Sequence, residues 1–185
     1  SLTATQLEAI TVVAMDMWGA FIRSVSDHVP GAELKIAFDK FHVASHLGDA
    51  VDRVRRGEHK ALLASGDDSM KGSRYLWLTN PDNLDAAGAG ALEALHEISL
   101  KTSRAWALKE TAMHIWRFVR RGHATTEWRA WIAKAMRSRL EPVKKVARMI
   151  REHLWGIVNA MVLGATNAAS ESVNAKVQRI KRTAC

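Results

Sequence analysis

Two aspartates close two short apolar runs in the same way. Asp16 follows ITVVAM (Ile10 to Met15), and Asp39 follows LKIAF (Leu34 to Phe38). The first run is rich in β-branched residues, as a buried parallel strand should be, and the second reads as another strand. In an open parallel sheet the carboxyl ends of the strands are the edge where ligands bind. If the two strands are neighbours, about 5 Å apart, the carboxylates converge on one site. Converging carboxylate oxygens are what a magnesium ion takes as ligands, with waters completing its shell. An aspartate after a strand is also a common cap for the next helix, and both readings stand at this point. His42 and His46 lie four residues apart in the segment after Asp39. With Asp39 they offer a metal triad, although hydrogen-bonded histidines explain that spacing better.

A third carboxylate lies far along the chain, in TNAASESVNAKVQRIKR (Thr166 to Arg182). Read as a helix, Val173, Val177 and Ile180 form its buried stripe. Glu171, Asn174, Gln178 and Lys181 share another face. One helix then offers a carboxylate at its start and amide and basic groups beyond it. Lys176, Arg179, Lys181 and Arg182 add charge suited to phosphate contacts. The helix dipole explains that charge order equally well, but says nothing of Asn174 and Gln178. Between Lys134 and Arg151 stand seven Lys or Arg residues, Lys144, Lys145 and Arg148 among them, against Glu141 alone. They either line a DNA groove or form a solvated face. No serine or cysteine sits in a nucleophile motif, and Trp128 and Trp131 read as core.

The elements that must position these groups fall into two parts. Residues 10–64 read as two β-α repeats. WGAFIRSVSDHV forms a helix ended by Pro30-Gly31, and a longer helix carries Val43, Leu47, Val51 and Val54 on one stripe. Such a unit makes a right-handed crossover between parallel strands. Residues 71–83 read as irregular, with a turn at Asn80-Pro81-Asp82. Residues 85–91 are Ala- and Gly-rich and lack what a phosphate loop requires. Helices follow over about 90–98, 103–121, 125–138 and 141–163, with Pro142 in a first turn. The fold class is therefore α/β, mostly helical. Two parallel strands are too few for a stable sheet, which needs about three or more. The expectation is the C-terminal portion of a larger α/β domain, with both ends of the chain cut.

The 27 Lys and Arg against 19 Asp and Glu give a formal charge of +8 and a pI near 10.0. That balance points to a polyanionic partner, nucleic acid above all. The single cysteine, Cys185, excludes a disulfide framework or a cysteine zinc site. No apolar run approaches the roughly 20 residues of a membrane helix. The chain reads as intracellular.

Three blocks together carry a family resemblance: VAMDMWGAFIRSV, KIAFDKFHVASHLGDAVDRVRRGEHKAL and TNAASESVNAKVQRIKRTAC, with LKTSRAWALKE and SRLEPVKKVAR between them. They resemble bacterial insertion-sequence transposases of the ISL-three type. The resemblance implies a partial RNase H-like catalytic domain, residues 1–64, with a helical insertion over 65–163. The catalytic-glutamate helix then returns over 164–185. Asp16 matches the second catalytic aspartate and Glu171 the catalytic glutamate, both as metal ligands. Asp39 and His42, in DKFH, match a motif that supports the site or takes part in it, while Asn174 and Lys176 match positions after the glutamate. The family's first aspartate, its zinc-binding and helix-turn-helix regions and its aromatic tail have no counterpart here. Implied with the family are magnesium or manganese, DNA (transposon ends and target) as partner, a homo-oligomeric parent, no membrane, and a cytoplasmic, nucleoid-associated location. This chain alone is expected to be inactive. The alternatives are a non-catalytic basic helical domain that binds nucleic acid, and a helical dimerisation module.

Overall fold

The computed structural model of the chain describes residues 2–165. A short helix, α1 (Ala4–Glu8), precedes strand β1 (Val13–Met15), and α2 (Gly19–His28) follows it. The turn at Pro30-Gly31 holds Gly31 at φ 68°, in the left-handed region that favours glycine. It opens a single turn of helix, α3 (Ala32–Lys35), which runs straight into β2 (Ile36–Phe38). The strands pair in parallel, Val13 with Ile36, Ala14 with Ala37 and Met15 with Phe38. Both are shorter than their predicted runs, because α3 takes Leu34 and Lys35 and only the last three residues of each run pair.

The predicted long helix is α4 (Lys40–Ala64), and its stripe Val43, Leu47, Val51 and Val54 is buried. The segment read as irregular contains α5 (Arg74–Leu78), drawn inward by the fully buried Trp77, then a 3₁₀ turn over Pro81–Asn83. Helix α6 (Ala86–Ile98) starts earlier than expected. Asp85 accepts the Gly88 N–H at 2.8 Å, a cap strong enough to carry the glycines into the helix. Helix α7 (Leu100–Ile115) is capped from outside itself. Glu58 of α4 accepts the N–H groups of Lys101 (3.0 Å) and Thr102 (2.7 Å), and the Thr102 hydroxyl at 2.6 Å. The carboxylate satisfies orphan donors and meets the positive end of the helix dipole.

After α8 (Arg121–Arg137), the stretch 141–163 is two helices, α9 (Glu141–Glu152) and α10 (Leu154–Leu163). The break falls at His153, whose ring nitrogen Nδ1 bonds the Met149 carbonyl at 2.9 Å. It redirects the chain so that α10, buried from Gly156 to Met161, seats on β2. One continuous apolar core runs from Met15 to Met161, with α7 and α9 packed on α4. All three residues of β2 are buried, whereas Val13 and Ala14 of β1 are half-buried and α2 buries no residue fully. Among the described residues no helix is long and apolar enough to cross a membrane.

Candidate active site at the strand ends

The register sets the geometry of the two aspartates. Met15 and Phe38 are paired, so Asp16 and Asp39 are the next residues on neighbouring strands, whose usual spacing is about 4.8 Å. The Asp39 N–H donates to the Met15 carbonyl at 3.1 Å and locks the two strand ends together. Each carboxylate makes the same local contact. Asp16 Oδ1 accepts the Trp18 N–H at 2.9 Å, and Asp39 Oδ1 accepts the Phe41 N–H at 2.8 Å. Asp39 is thus the N-cap of α4, the alternative weighed against metal binding. Capping does not by itself exclude metal binding, since an ionised carboxylate offers about four lone-pair sites.

Burial separates the pair. Asp39 is 5% exposed, beneath the start of α4, while Asp16 is half-buried. Around them Trp18, Phe21 and Phe41 are exposed, with Trp18 and Phe21 edge to face at 4.5 Å. Such aromatics beside carboxylates are what a covered surface would bury. His42 is half-buried with its ring 6.0 Å from that of Phe41, and His46, one turn on, is exposed. Among the described residues no three His, Cys, Asp or Glu groups come close enough to hold a metal ion. The triad of Asp39, His42 and His46 is therefore not assembled. Glu171, Asn174, Lys176, Arg179, Lys181 and Arg182 lie outside the described residues.

The basic candidates divide. Lys144 pairs with Glu141 at 2.9 Å, and Arg148 hydrogen-bonds the same carboxylate. Arg148, and after it Lys144, holds the Glu141 carboxyl below the usual carboxylate range. Lys145 makes no ion pair among the described residues, and it lines a groove between α4 and α9 with His46 and Arg53.

Sequence reasoning missed what holds the strand ends in place. Asn159, 1% exposed on α10, donates through Nδ2 to the carbonyls of Glu33 and Ile36, each at 2.8 Å, and so ties α10 to the α3–β2 junction. Gly156 lets the Phe38 ring approach the α10 backbone. The signal was there: in LWGIVNAMVL one asparagine and one glycine interrupt an otherwise apolar helix.

Two aspartates at adjacent strand ends in a basic, largely helical α/β chain define a candidate nucleic-acid-handling protein. The family model described as a transposase, the DDE type of the ISL-three (ISL3) group, matches residues 1–185. The chain belongs to this transposase family. It is also 29% identical over 180 residues to the transposase for insertion sequence element IS1001 of Bordetella parapertussis, a match covering 96% of this chain and 44% of that relative. The chain thus spans less than half the length of that relative. No solved structure matches it.

Proposed function

We propose that this chain carries the later part of an RNase H-like catalytic domain that cuts and joins DNA by metal-dependent phosphoryl transfer. The observation that carries the reading is the register placing Asp16 and Asp39 side by side at the carboxyl edge of a parallel pair. Residues 1–64 and 164–185 belong to the catalytic domain and 65–163 to its helical insertion. Incompleteness of the sheet is supported by the half-buried β1 and by α2, which lacks a buried residue.

The donors present are hard oxygens, which suit magnesium or manganese. Asp16 and Glu171 would hold the metal, with Asp39 and His42 beside them. Bound there, such ions lower the pKa of a water nucleophile and stabilise the leaving oxygen of an in-line displacement. The chain's own part is positional. Asp39 fixes the start of α4 and the strand edge, and the Trp18 N–H orients the Asp16 carboxylate. Lys145, with Lys144 and Arg148 once DNA competes for them, contacts phosphates, as do Asn174, Lys176, Arg179, Lys181 and Arg182. The parent is proposed to act on transposon ends and target as a homo-oligomer in the nucleoid.

In a full-length parent, Asp16→Asn and Glu171→Gln should each abolish metal-dependent cleavage while DNA binding persists. Asp39→Asn keeps an equally good cap and so isolates the effect of the charge. Cleavage retained in Asp16→Asn or Glu171→Gln would overturn the assignment and leave a basic domain that only binds nucleic acid.

A further inference from the structure

Between α8 and α10 lies a cleft of about 850 Å³ that none of the roles above uses. Its cations are Arg121 and Arg129 on α8 and Arg151 in the last turn of α9. Its apolar wall includes Ile132, Met136 and Trp155. Arg121 and Arg129 are eight residues apart, so they share a helix face about 12 Å apart along its axis. No acidic residue lines the cleft. None of the three arginines makes an ion pair among the described residues, in contrast to Lys144 and Arg148. Arg121 also opens α8, whose first turn contains no acidic residue. A cation there meets the positive end of the helix dipole and costs stability unless an anion joins it.

The mixture identifies the occupant. A free phosphate would leave the apolar wall bare, and an apolar peptide would leave the three exposed arginines without an anion. A base inside a duplex is stacked on both faces and cannot reach the wall. An unpaired nucleotide matches both halves, with phosphates on the arginines and a base against the tryptophan. Trp155, 38% exposed, is held edge-on to Phe38 at 5.1 Å, and Phe38 immediately precedes Asp39. Trp155 thus connects the cleft wall to the last residue of β2.

We propose that this cleft binds unpaired nucleotides of a DNA strand. The proposal rests on the DNA-processing reading above and deepens it. The test uses the full 185-residue chain without divalent metal and fluorescence anisotropy at fixed salt. The probes are a blunt duplex and the same duplex with a four-nucleotide single-stranded overhang. The overhang should bind about ten-fold tighter, in line with stacking of one base. Trp155→Ala should remove that preference and Trp155→Phe retain most of it. Arg129→Gln, a change at an exposed position that leaves the core untouched, should weaken overhang binding and flatten its salt slope by about 0.7. Blunt and overhang duplexes bound alike, or a preference unchanged in Trp155→Ala and Arg129→Gln, would overturn the cleft assignment while DNA binding stood. In that case the cleft belongs to another occupant, such as the chain's own residues 166–185. Binding of neither duplex would sink the DNA reading itself.

Discussion

Gly156 should not tolerate even a methyl group. A Cβ built there falls 2.4, 2.5 and 3.1 Å from Cε2, Cδ2 and Cζ of Phe38, where ordinary contacts are about 3.5–4.0 Å. The ring has no room to retreat: Phe38 is 0% exposed, with His153 at 5.4 Å and Trp155 at 5.1 Å from its centroid. Two effects compete in Gly156→Ala. Alanine gains about 1 kcal/mol of helix propensity, and overpacking costs about 1–3 kcal/mol, toward the upper end where the neighbour is a trapped ring. The net expectation is a loss of about 1–2 kcal/mol, or roughly 3–6 °C in Tm for a chain of this size. Gly57→Ala and Gly90→Ala are the controls. Neither new Cβ meets an atom within 4 Å, so each should gain up to about 1 kcal/mol. Urea unfolding followed by far-UV circular dichroism reads all three, with a shifted midpoint at constant slope marking a stability change. Gly156→Ala as stable as its parent, with the controls stabilised, would refute the claim that close approach to Phe38 seats α10 on β2.

Asn159→Ala strands the buried Ile36 carbonyl and the partly buried Glu33 carbonyl and should cost about 2–3 kcal/mol. Asn159→Asp should be worse at neutral pH, because a carboxylate would face the same two oxygens, and urea midpoints at pH 7 and pH 4 should show that excess shrinking as it protonates. Glu141→Gln releases Lys144 and Arg148, so it should tighten DNA binding and steepen the salt slope by up to about 2. Unchanged affinity would take both cations off the DNA path. His96 lies between Trp77 (5.0 Å) and Trp106 (4.8 Å), and burial pulls its pKa below the ordinary 6.5, with Glu93 partly opposing. Between that lowered value and 6.5 the unfolded chain binds more protons, so stability rises with pH. The contribution is complete above 6.5 and is lost as pH falls. Thermal melts from pH 5 to 8 should show this slope, and His96→Phe should flatten it.

The long amphipathic helix α4 was legible because its stripe repeats over many turns, and the strands because each is a short, mostly apolar run that stops at an aspartate. Asp16 and Asp39 were legible for the same reason, each standing where a run stops. What escaped were features set by single contacts across the fold. The break at His153 depends on a ring bonding its own helix, and α5 depends on burial of one tryptophan. Neither leaves a periodic trace. The N-terminus of α7 is capped by Glu58, 43 and 44 residues before the two N–H groups it accepts, and no local motif marks it. Lys144 and Lys145 are equivalent by charge in the sequence. Only the packed helix shows that Glu141 engages one and leaves the other facing the α4–α9 groove.

The two strands give their aspartates unequal surroundings, and that inequality orders their roles. Asp39 ends a strand buried on all three residues, held from behind by Asn159 and Gly156 of α10 and closed over by the first turn of α4. Asp16 ends the half-buried strand, with exposed Trp18 and Phe21 beside it and an N–H two residues on as its local partner. A group that must meet DNA and exchange metal waters has to be reachable. A group that sets the position of that edge is better buried. Among the described residues the outer edge of β1 has no strand partner, and a further strand hydrogen-bonded there would bring any carboxylate it carried beside Asp16 first. By this argument Asp16 is proposed as the ligand-facing carboxylate. Asp39, whose N–H bonds the Met15 carbonyl and whose carboxylate caps α4, is proposed to keep the strand ends aligned.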